Sequence, residues 1–170
     1  MKNVSFRNDV LPLKNTLYRL ALRLTLNSAE AEDIVQDTLI KVWNRRDSWD
    51  QIESIEAFSL KICRNLSLDR IKKQDNQNSS LDDANIEKPD RSSNPYEQMI
   101  QRDRVELVRK LVDELPEKQR SCMQLRDFEG KPYKEIASIL DITEEQVKVN
   151  IFRARQTIKQ RFQQLENYGL

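Results

Sequence analysis

The sequence predicts an all-α protein of two small helical domains joined by a flexible acidic linker, with a helix-turn-helix in the second domain. Three observations predict this fold. Apolar residues recur at helical spacing, glycine occurs only at Gly130 and Gly169, and a polar stretch without periodicity separates the two halves. Scarce glycine leaves few positions for hairpin turns or phosphate-cradling loops. We expect domains at residues 1–75 and 96–170, with the linker at 76–95.

The first domain is predicted to contain three helices. The first carries leucines on one face, at Leu13, Leu17, Leu20 and Leu24. Asn27 or Ser28 caps the second, and Glu30 closes a capping box if Asn27 is the cap. The predicted buried residues of this second helix are Ile34, Val35, Thr38, Leu39, Val42 and Trp43. The third helix is expected from a cap near Ser54 to Lys73, and its predicted buried residues are Phe58, Ile62 and Leu66.

The stretch from Gln74 to Pro95 has too little apolar surface to offset the entropy of ordering it, which predicts the linker. Its acidic residues, by hypothesis, shield the basic faces of the domains. They are Asp82, Asp83, Glu87 and Asp90. A helix is predicted from near Tyr96, and Pro116 separates it from another that Gly130 ends. The apolar positions of the first of these are Met99, Ile100, Leu107, Val108, Leu111 and Leu115.

Two short apolar-periodic runs between Tyr133 and Lys159 have helix-turn-helix spacing, with a break at Asp141. Thr143 and Gln146 form a predicted capping box that starts the second helix. Its predicted buried stripe is Val147, Ile151, Ala154 and Ile158, and its outward residues are Lys148, Val149, Asn150, Arg153, Gln156 and Lys159. Cationic and amide donors on one face suit phosphates and base edges, which predicts DNA binding. The alternative is an ordinary solvated face of a surface helix.

The composition excludes several classes of function. Lys and Arg number 29 against 28 Asp and Glu, so the net charge of +1 supplies no general attraction to nucleic acid. The chain has no histidine and only Cys63 and Cys122, so we expect no zinc site, cofactor or disulfide, two buried thiols, and no enzymatic activity. No apolar run is long enough to cross a bilayer, which predicts a cytoplasmic protein without membrane insertion.

The third helix of the first domain is basic. Its cations are Lys61, Arg64, Arg70, Lys72 and Lys73, with Asn65 among them. Trp49 and Phe58 lie nearby in sequence, and aromatic residues beside cations suit single-stranded DNA. The alternative is that the aromatics belong to the core and the lysines solvate a helix end, and for Phe58 the core interpretation is favoured.

Four collinear motifs, Ala31–Trp43, Ile62–Arg70, Leu115–Arg120 and Ile151–Arg155, closely resemble extracytoplasmic-function sigma factors of the sigma-70 family. The resemblance covers both domains and implies a subunit that brings core RNA polymerase to promoters. It implies that the Ala31–Trp43 helix docks on the β′ clamp helices, with the β subunit as a further partner. It also implies control by an anti-sigma factor.

The resemblance assigns three groups of residues. Those expected to bind polymerase are Glu32, Asp33, Gln36, Asp37 and Lys41. Those expected to recognise and melt the −10 element are Lys61, Arg64, Asn65 and Arg70. Those expected to read the −35 element in the major groove are Lys148, Val149, Asn150, Phe152, Arg153 and Arg155.

Two rival interpretations remain. A two-domain regulator would bind an operator without polymerase, but its first domain would be expected to hold an apolar ligand pocket or a dimer interface. A helical adaptor that does not contact DNA would leave the basic run from Lys148 to Arg161 unexplained.

Overall fold

The structure describes residues 3–78 and 96–167, and all of the regular secondary structure within them is helical. In this computed structural model, side-chain positions are described for 3–76 and 103–167. In chain order the helices are α1 (Lys14–Thr25), α2 (Ser28–Asn44), α3 (Ile55–Asn78), α4 (Tyr96–Asp113), α5 (Glu117–Met123), α6 (Tyr133–Leu140) and α7 (Glu144–Asn167). Shorter helical turns lie at Phe6–Val10, Leu11–Leu13, Arg46–Gln51 and Gln124–Phe128. The predicted all-α class is confirmed.

The junction between α1 and α2 is set by two residues. Leu26 has a left-handed backbone (φ 58°), and its N–H donates to the carbonyl of Leu22, which ends α1. The Asn27 side chain accepts a hydrogen bond of 3.0 Å from the N–H of Glu30, so the first of the two predicted caps is correct. The predicted capping box is half formed, because the Glu30 carboxylate binds the guanidinium of Arg70 instead.

Helix α3 begins where predicted but ends later. The hydroxyl of Ser54 accepts a hydrogen bond of 3.1 Å from the N–H of Ala57, which confirms the predicted cap. The helix continues past the predicted end at Lys73 to Asn78. This added turn contains neither Gly nor Pro, so extending the helix costs little although its side chains are polar. The rest of the predicted linker, 79–95, with its acidic residues, lies outside the described residues.

The buried face of α3 differs from the predicted one. The predicted residues Phe58, Ile62 and Leu66 are only half-buried, whereas Leu60 and Cys63 are fully buried. The small cluster that Phe58 and Ile62 join consists of Val10, Val42 and Trp49. The prediction failed because α3 is covered on two sides, one of them by a helix from the distant second half of the chain.

The two predicted domains share one hydrophobic core. Helix α6 packs on α3, and α5 packs on α1. Buried members of the core from the first half include Leu17, Leu20, Leu60 and Cys63, and those from the second half include Cys122, Leu125, Ile136 and Ile139. The two units therefore lie against each other, an arrangement that the sequence left open.

Ion pairs surround the contact between the two units. They include Arg19 with Glu129 at 2.6 Å, Arg23 with Asp113 at 2.9 Å, and Lys131 with Glu56. Arg23 also donates to the buried side-chain oxygen of Gln124 at 2.8 Å. Each of these pairs contains at least one largely buried side chain, so the cost of desolvating the charges offsets much of their attraction, and apolar burial supplies most of the association.

Helix α4 closes the second unit against α7. Val112 of α4 and Leu115, two residues past its end, form a small buried cluster with Met123 and Ala154. The side chains of the predicted apolar residues Met99 and Ile100 lie outside the described residues. The periodicity of α4 is thus confirmed at its C-terminal end.

Both cysteines are buried free thiols, as predicted. The Cys63 thiol donates to the carbonyl of Leu17 at 3.3 Å. Burial raises the pKa of each thiol to about 12, so neither is ionised near neutral pH. They act as small core residues.

Candidate functional site

The helix-turn-helix has the predicted geometry. Asp141 takes a left-handed backbone (φ 58°) that ends α6, and the following N–H, of Ile142, donates to the carbonyl of Ala137 at 3.0 Å. The predicted capping box is complete: the N–H of Thr143 donates to Gln146 at 2.9 Å, and the N–H of Gln146 donates to the Thr143 hydroxyl at 3.1 Å. These contacts fix the angle at which α7 leaves α6.

The outward face of α7 is exposed. Val147, Ile151 and Ala154 are buried as predicted, and Ile158 is half-buried. The predicted outward residues that are exposed are Lys148, Val149, Arg153, Gln156 and Lys159, whereas Asn150 is half-buried. Phe152 and Arg155 of the predicted −35 set are exposed as well. Phe152 is 63% exposed, an unusual position for an aromatic ring unless another surface covers it. Cations can contact phosphates, and an exposed aromatic ring beside them can contact a thymine methyl group.

Three of the predicted −35 residues have partners within the protein, namely Lys148, Asn150 and Arg155. The Asn150 side-chain nitrogen donates to the carbonyl of Gln146 at 2.7 Å. Arg155 binds both carboxylate oxygens of Asp127, with its Nε at 3.1 Å, and this pairing raises the pKa of Arg155. Of the predicted set, therefore, Val149, Phe152 and Arg153 have no side-chain partner in the described part of the chain, and Lys148 lies 3.8 Å from Glu145.

The outer face of α2 contains the predicted polymerase-binding residues. Glu32, Gln36 and Lys41 are exposed, whereas Asp33 and Asp37 pair with Arg70 of α3. The three carboxylates nearest Arg70 are those of Glu30, Asp33 and Asp37, one helical turn apart in succession.

Exposed apolar side chains that were not predicted from the sequence extend this face. Ile40 is 56% exposed and Trp43 is 44% exposed. Trp43 was wrongly predicted to be buried; its ring stacks edge-on against Phe6 with centroids 5.3 Å apart, and the Arg46 guanidinium lies over it at 4.7 Å. Its position one residue past the buried Val42 turns it to the side of the helix.

The aromatic residues near α3 have different roles. The Trp49 indole N–H donates to the carbonyl of Val42 at 3.0 Å and the side chain is buried, which favours the core interpretation for Trp49. Phe58 is half-buried and lines an open cavity of about 310 Å³. The other lining residues are Lys41, Asn44, Arg45 and Ile62. Two adjacent cations, Arg45 and Arg46, follow α2 directly, and this pair of residues is the pattern in the sequence that could have indicated the cavity.

The four predicted −10 residues do not form one surface. Lys61 and Asn65 are exposed. Arg64 is 6% exposed and binds Glu117 and Ser121 of α5. Arg70 lies among the carboxylates of α2. Only two of the four are therefore available to a ligand in this conformation.

No helix within the described residues is both long and apolar enough to cross a membrane. Those residues contain no group of three or more side chains that could hold a metal ion.

Comparison with known proteins finds two family models along the chain. The model described as "Sigma-70 region 2" matches residues 10–77, and the model described as "Sigma-70, region 4" matches residues 106–158. Together these matches cover more than two thirds of the chain.

The curated relatives that this chain resembles are named as RNA polymerase sigma factors. The "ECF RNA polymerase sigma-E factor" of Escherichia coli K12 is 29% identical over 146 residues, which is 81% of this chain and 76% of that protein. The "Probable RNA polymerase sigma factor RfaY" of Xanthomonas campestris pv. campestris is 28% identical over 153 residues, 88% of this chain. This chain spans only 38% of the length of that second relative.

Two solved structures share the fold. The sigma factor RpoE of Bartonella quintana, in complex with the anti-sigma factor NepR, superimposes with a TM-score of 0.73 at 24% identity, covering 91% of this chain and 94% of that one. CnrH in complex with the cytosolic domain of CnrY gives a TM-score of 0.67 at 19% identity, covering 93% and 87%.

Proposed function

The chain belongs to the extracytoplasmic-function group of the sigma-70 family, and on that premise we propose that it directs core RNA polymerase to promoters with two elements. The observation that supports this most is the coexistence of two exposed faces on separate helices. One is the acidic and apolar outer face of α2, and the other is the basic outer face of α7.

Helix α2 would dock on the β′ clamp helices. Acidic residues suit a basic coiled coil, and the exposed Ile40 and Trp43 add apolar surface at the centre of such a contact. Lys41 would lie at the edge of the same contact. An operator-binding regulator would have no use for this face, which favours the sigma factor over that rival.

Helix α7 would read the −35 element through Lys148, Val149, Phe152 and Arg153. The −10 element would meet Lys61 and Asn65 of α3, together with the open cavity beside Phe58, which is lined by Lys41 and Arg45. Asn150 and Arg155 would take part only if DNA displaces their present partners.

The two units would have to separate on a promoter. Elements about 25 base pairs apart are about 85 Å apart along duplex DNA at 3.4 Å per base pair. A compact chain of this length has a radius of gyration of only about 15 Å, too small to reach both. The shared core of the free protein would therefore open when polymerase and DNA bind.

We place the protein in the cytoplasm as a non-catalytic subunit of polymerase, under the control of an anti-sigma factor. The Bartonella structure contains a sigma factor of this fold with its anti-sigma factor, which supports such a partner. The packed arrangement of the two units suits a partner that would hold them closed.

The test is transcription from a promoter library by core polymerase with and without the protein, with start sites mapped. We expect start sites that need the protein and that share two spaced elements. Phe152→Ala combined with Arg153→Ala should abolish use of the upstream element, whereas Ser138→Ala, on an exposed part of α6, should not. If core polymerase stays silent while the protein alone shifts duplex DNA, the regulator interpretation replaces this one.

A further inference from the structure

Arg70 of α3 binds three carboxylates of α2 at once. Its Nη1 contacts Glu30, and its Nη2 contacts Asp33 and, at 3.2 Å, Asp37. The three acidic residues are three and four positions apart, so they lie along one face of α2. One guanidinium therefore crosslinks about two turns of the neighbouring helix.

These contacts hold the Arg70 guanidinium against α2 and leave it little freedom to bind another partner. The Arg70 side chain is 28% exposed, and its hydrogen bonds to Asp33 and Glu30 raise its pKa, which opposes loss of the charge. A planar guanidinium has its donors in a fixed fork, and here both terminal nitrogens are occupied. Reaching DNA would mean breaking three charge-assisted hydrogen bonds.

The carboxylates, in contrast, remain accessible. The Asp33 side chain is 54% exposed and that of Asp37 is 44% exposed although both are paired. Each carboxylate has two oxygens, so one can stay with Arg70 while the other accepts a donor from outside. The Asp33 and Asp37 side chains are held on the exposed face before any partner arrives.

We propose that Arg70 is a positioning residue for polymerase docking, which holds Asp33 and Asp37 in place for cationic groups of the polymerase, and that it does not contact promoter DNA. This inference rests on the proposed function of α2. It reassigns Arg70 from the −10 surface, where its charge and sequence position had placed it.

If net charge alone governed polymerase binding, removing Arg70 would strengthen that binding. Without the guanidinium the α2 face becomes more negative, so attraction to a basic partner would grow and binding would tighten. Positioning predicts weaker binding, because two freed side chains must be ordered again when polymerase binds. Weaker polymerase binding after removal of Arg70 would support positioning, and tighter binding would support the net-charge effect.

The experiment measures association and dissociation rates with core polymerase in the absence of DNA. We expect Arg70→Gln to raise the dissociation rate about tenfold, with an association rate that is unchanged or slightly faster. Arg70→Lys should recover part of the loss, because lysine restores the charge but not the fork. The matched control is Lys14→Gln, which removes one exposed charge from α1 and should change neither rate.

A double-mutant cycle adds a readout that a merely structural role would not move. The effect of Arg70→Gln should shrink in a protein that already carries Asp33→Asn and Asp37→Asn, because no carboxylate is then left to position. If Arg70→Gln does not fold, Glu30→Gln loosens the guanidinium without touching the two exposed carboxylates, and it should raise the dissociation rate by a smaller factor.

Other outcomes overturn the proposal. Unchanged or tighter binding of folded Arg70→Gln would do so. Normal polymerase binding with a loss of promoter opening at saturating protein would assign Arg70 to DNA. Failure of the wild-type protein to bind core polymerase would instead refute the proposed function, so the two failures can be told apart.

Discussion

Arg64 of α3 and Glu117 of α5 form an ion pair across the contact between the two helical units, with Nη2 and Nε of the arginine 2.5 Å and 3.0 Å from Glu117 Oε1. The Ser121 hydroxyl donates to the same carboxylate oxygen at 2.9 Å. Because the Arg64 side chain is only 8% exposed, its charge depends on this carboxylate for compensation. Arg64, a residue predicted to bind DNA, therefore helps to hold the two helical units together.

Glu117→Gln should therefore loosen the contact between the units. The change leaves the Arg64 charge nearly buried without an anion, at a cost of about 2 kcal/mol in the free energy of unfolding. Hydrogen exchange should quicken in α3 and α5. The matched control is Glu114→Gln, which breaks the exposed pair with Arg161 and should cost less than about 0.5 kcal/mol. Equal effects of the two substitutions would contradict this prediction.

Adjacent residues of α7 should respond in opposite ways to truncation. Ile151 is 2% exposed, so Ile151→Ala should lower the free energy of unfolding by about 3 kcal/mol. Phe152 is 63% exposed, so Phe152→Ala should change it by less than about 0.5 kcal/mol yet reduce binding to a duplex that contains the upstream element. Chemical denaturation and a DNA-binding titration measure the two effects. Normal DNA binding by Phe152→Ala would remove this ring from the interface.

The capping box of α7 makes a separate contribution to stability. Thr143→Ala removes the hydroxyl that accepts from the N–H of Gln146, and we expect a loss of about 1 kcal/mol in the free energy of unfolding. Thr143→Ser keeps the hydroxyl and should restore most of it. The measurement is the denaturation midpoint of each variant; a Ser variant as unstable as the Ala variant would show that the methyl group, not the cap, matters.

The buried thiols predict a pH dependence. The pKa of Cys63 and of Cys122 is raised from 9.0 to about 12 in the folded protein, so the unfolded chain loses these protons first as pH rises. Their contribution to stability is complete below pH 9 and declines between pH 9 and about 12. Replacing both by Ala should flatten the fall in stability over that range.

The same burial predicts slow alkylation. At pH 8 neither thiol of the native protein should react with iodoacetamide, whereas both should react in denaturant. Cys122 lies in the core shared by the two units, so Glu117→Gln should speed its modification. Rapid labelling of the native wild-type protein would contradict the burial of these groups.

Much of the local structure was predictable because it depends on neighbours in the chain. The cap at Asn27, the cap at Ser54 and the capping box of Thr143 with Gln146 each involve residues three positions apart. The outward face of α7 followed from helical periodicity alone. Trp43 shows the limit of that periodicity, since one residue at the border of a stripe can turn to either side.

The family motifs in the sequence also indicated which helices would carry the candidate surfaces, but not which of their side chains are free. Arg64, Arg70 and Arg155 are all cations predicted to meet DNA, and each is paired with a carboxylate on another helix. Nothing in their local sequence distinguishes them from the exposed Lys61 or Arg153. Their partners lie between 28 and 53 positions away in the chain.

The sequence by itself determined the helical class, the caps, the helix-turn-helix and the family, because propensity, spacing and motif order are local or collinear properties. The tertiary structure alone decided that the two units share a core, that α3 is covered on both sides, and which arginines are already bound. The physical reason is that burial and ion pairing depend on which distant segments of the chain come into contact. A one-dimensional pattern of apolar and charged residues is compatible with several different sets of tertiary contacts.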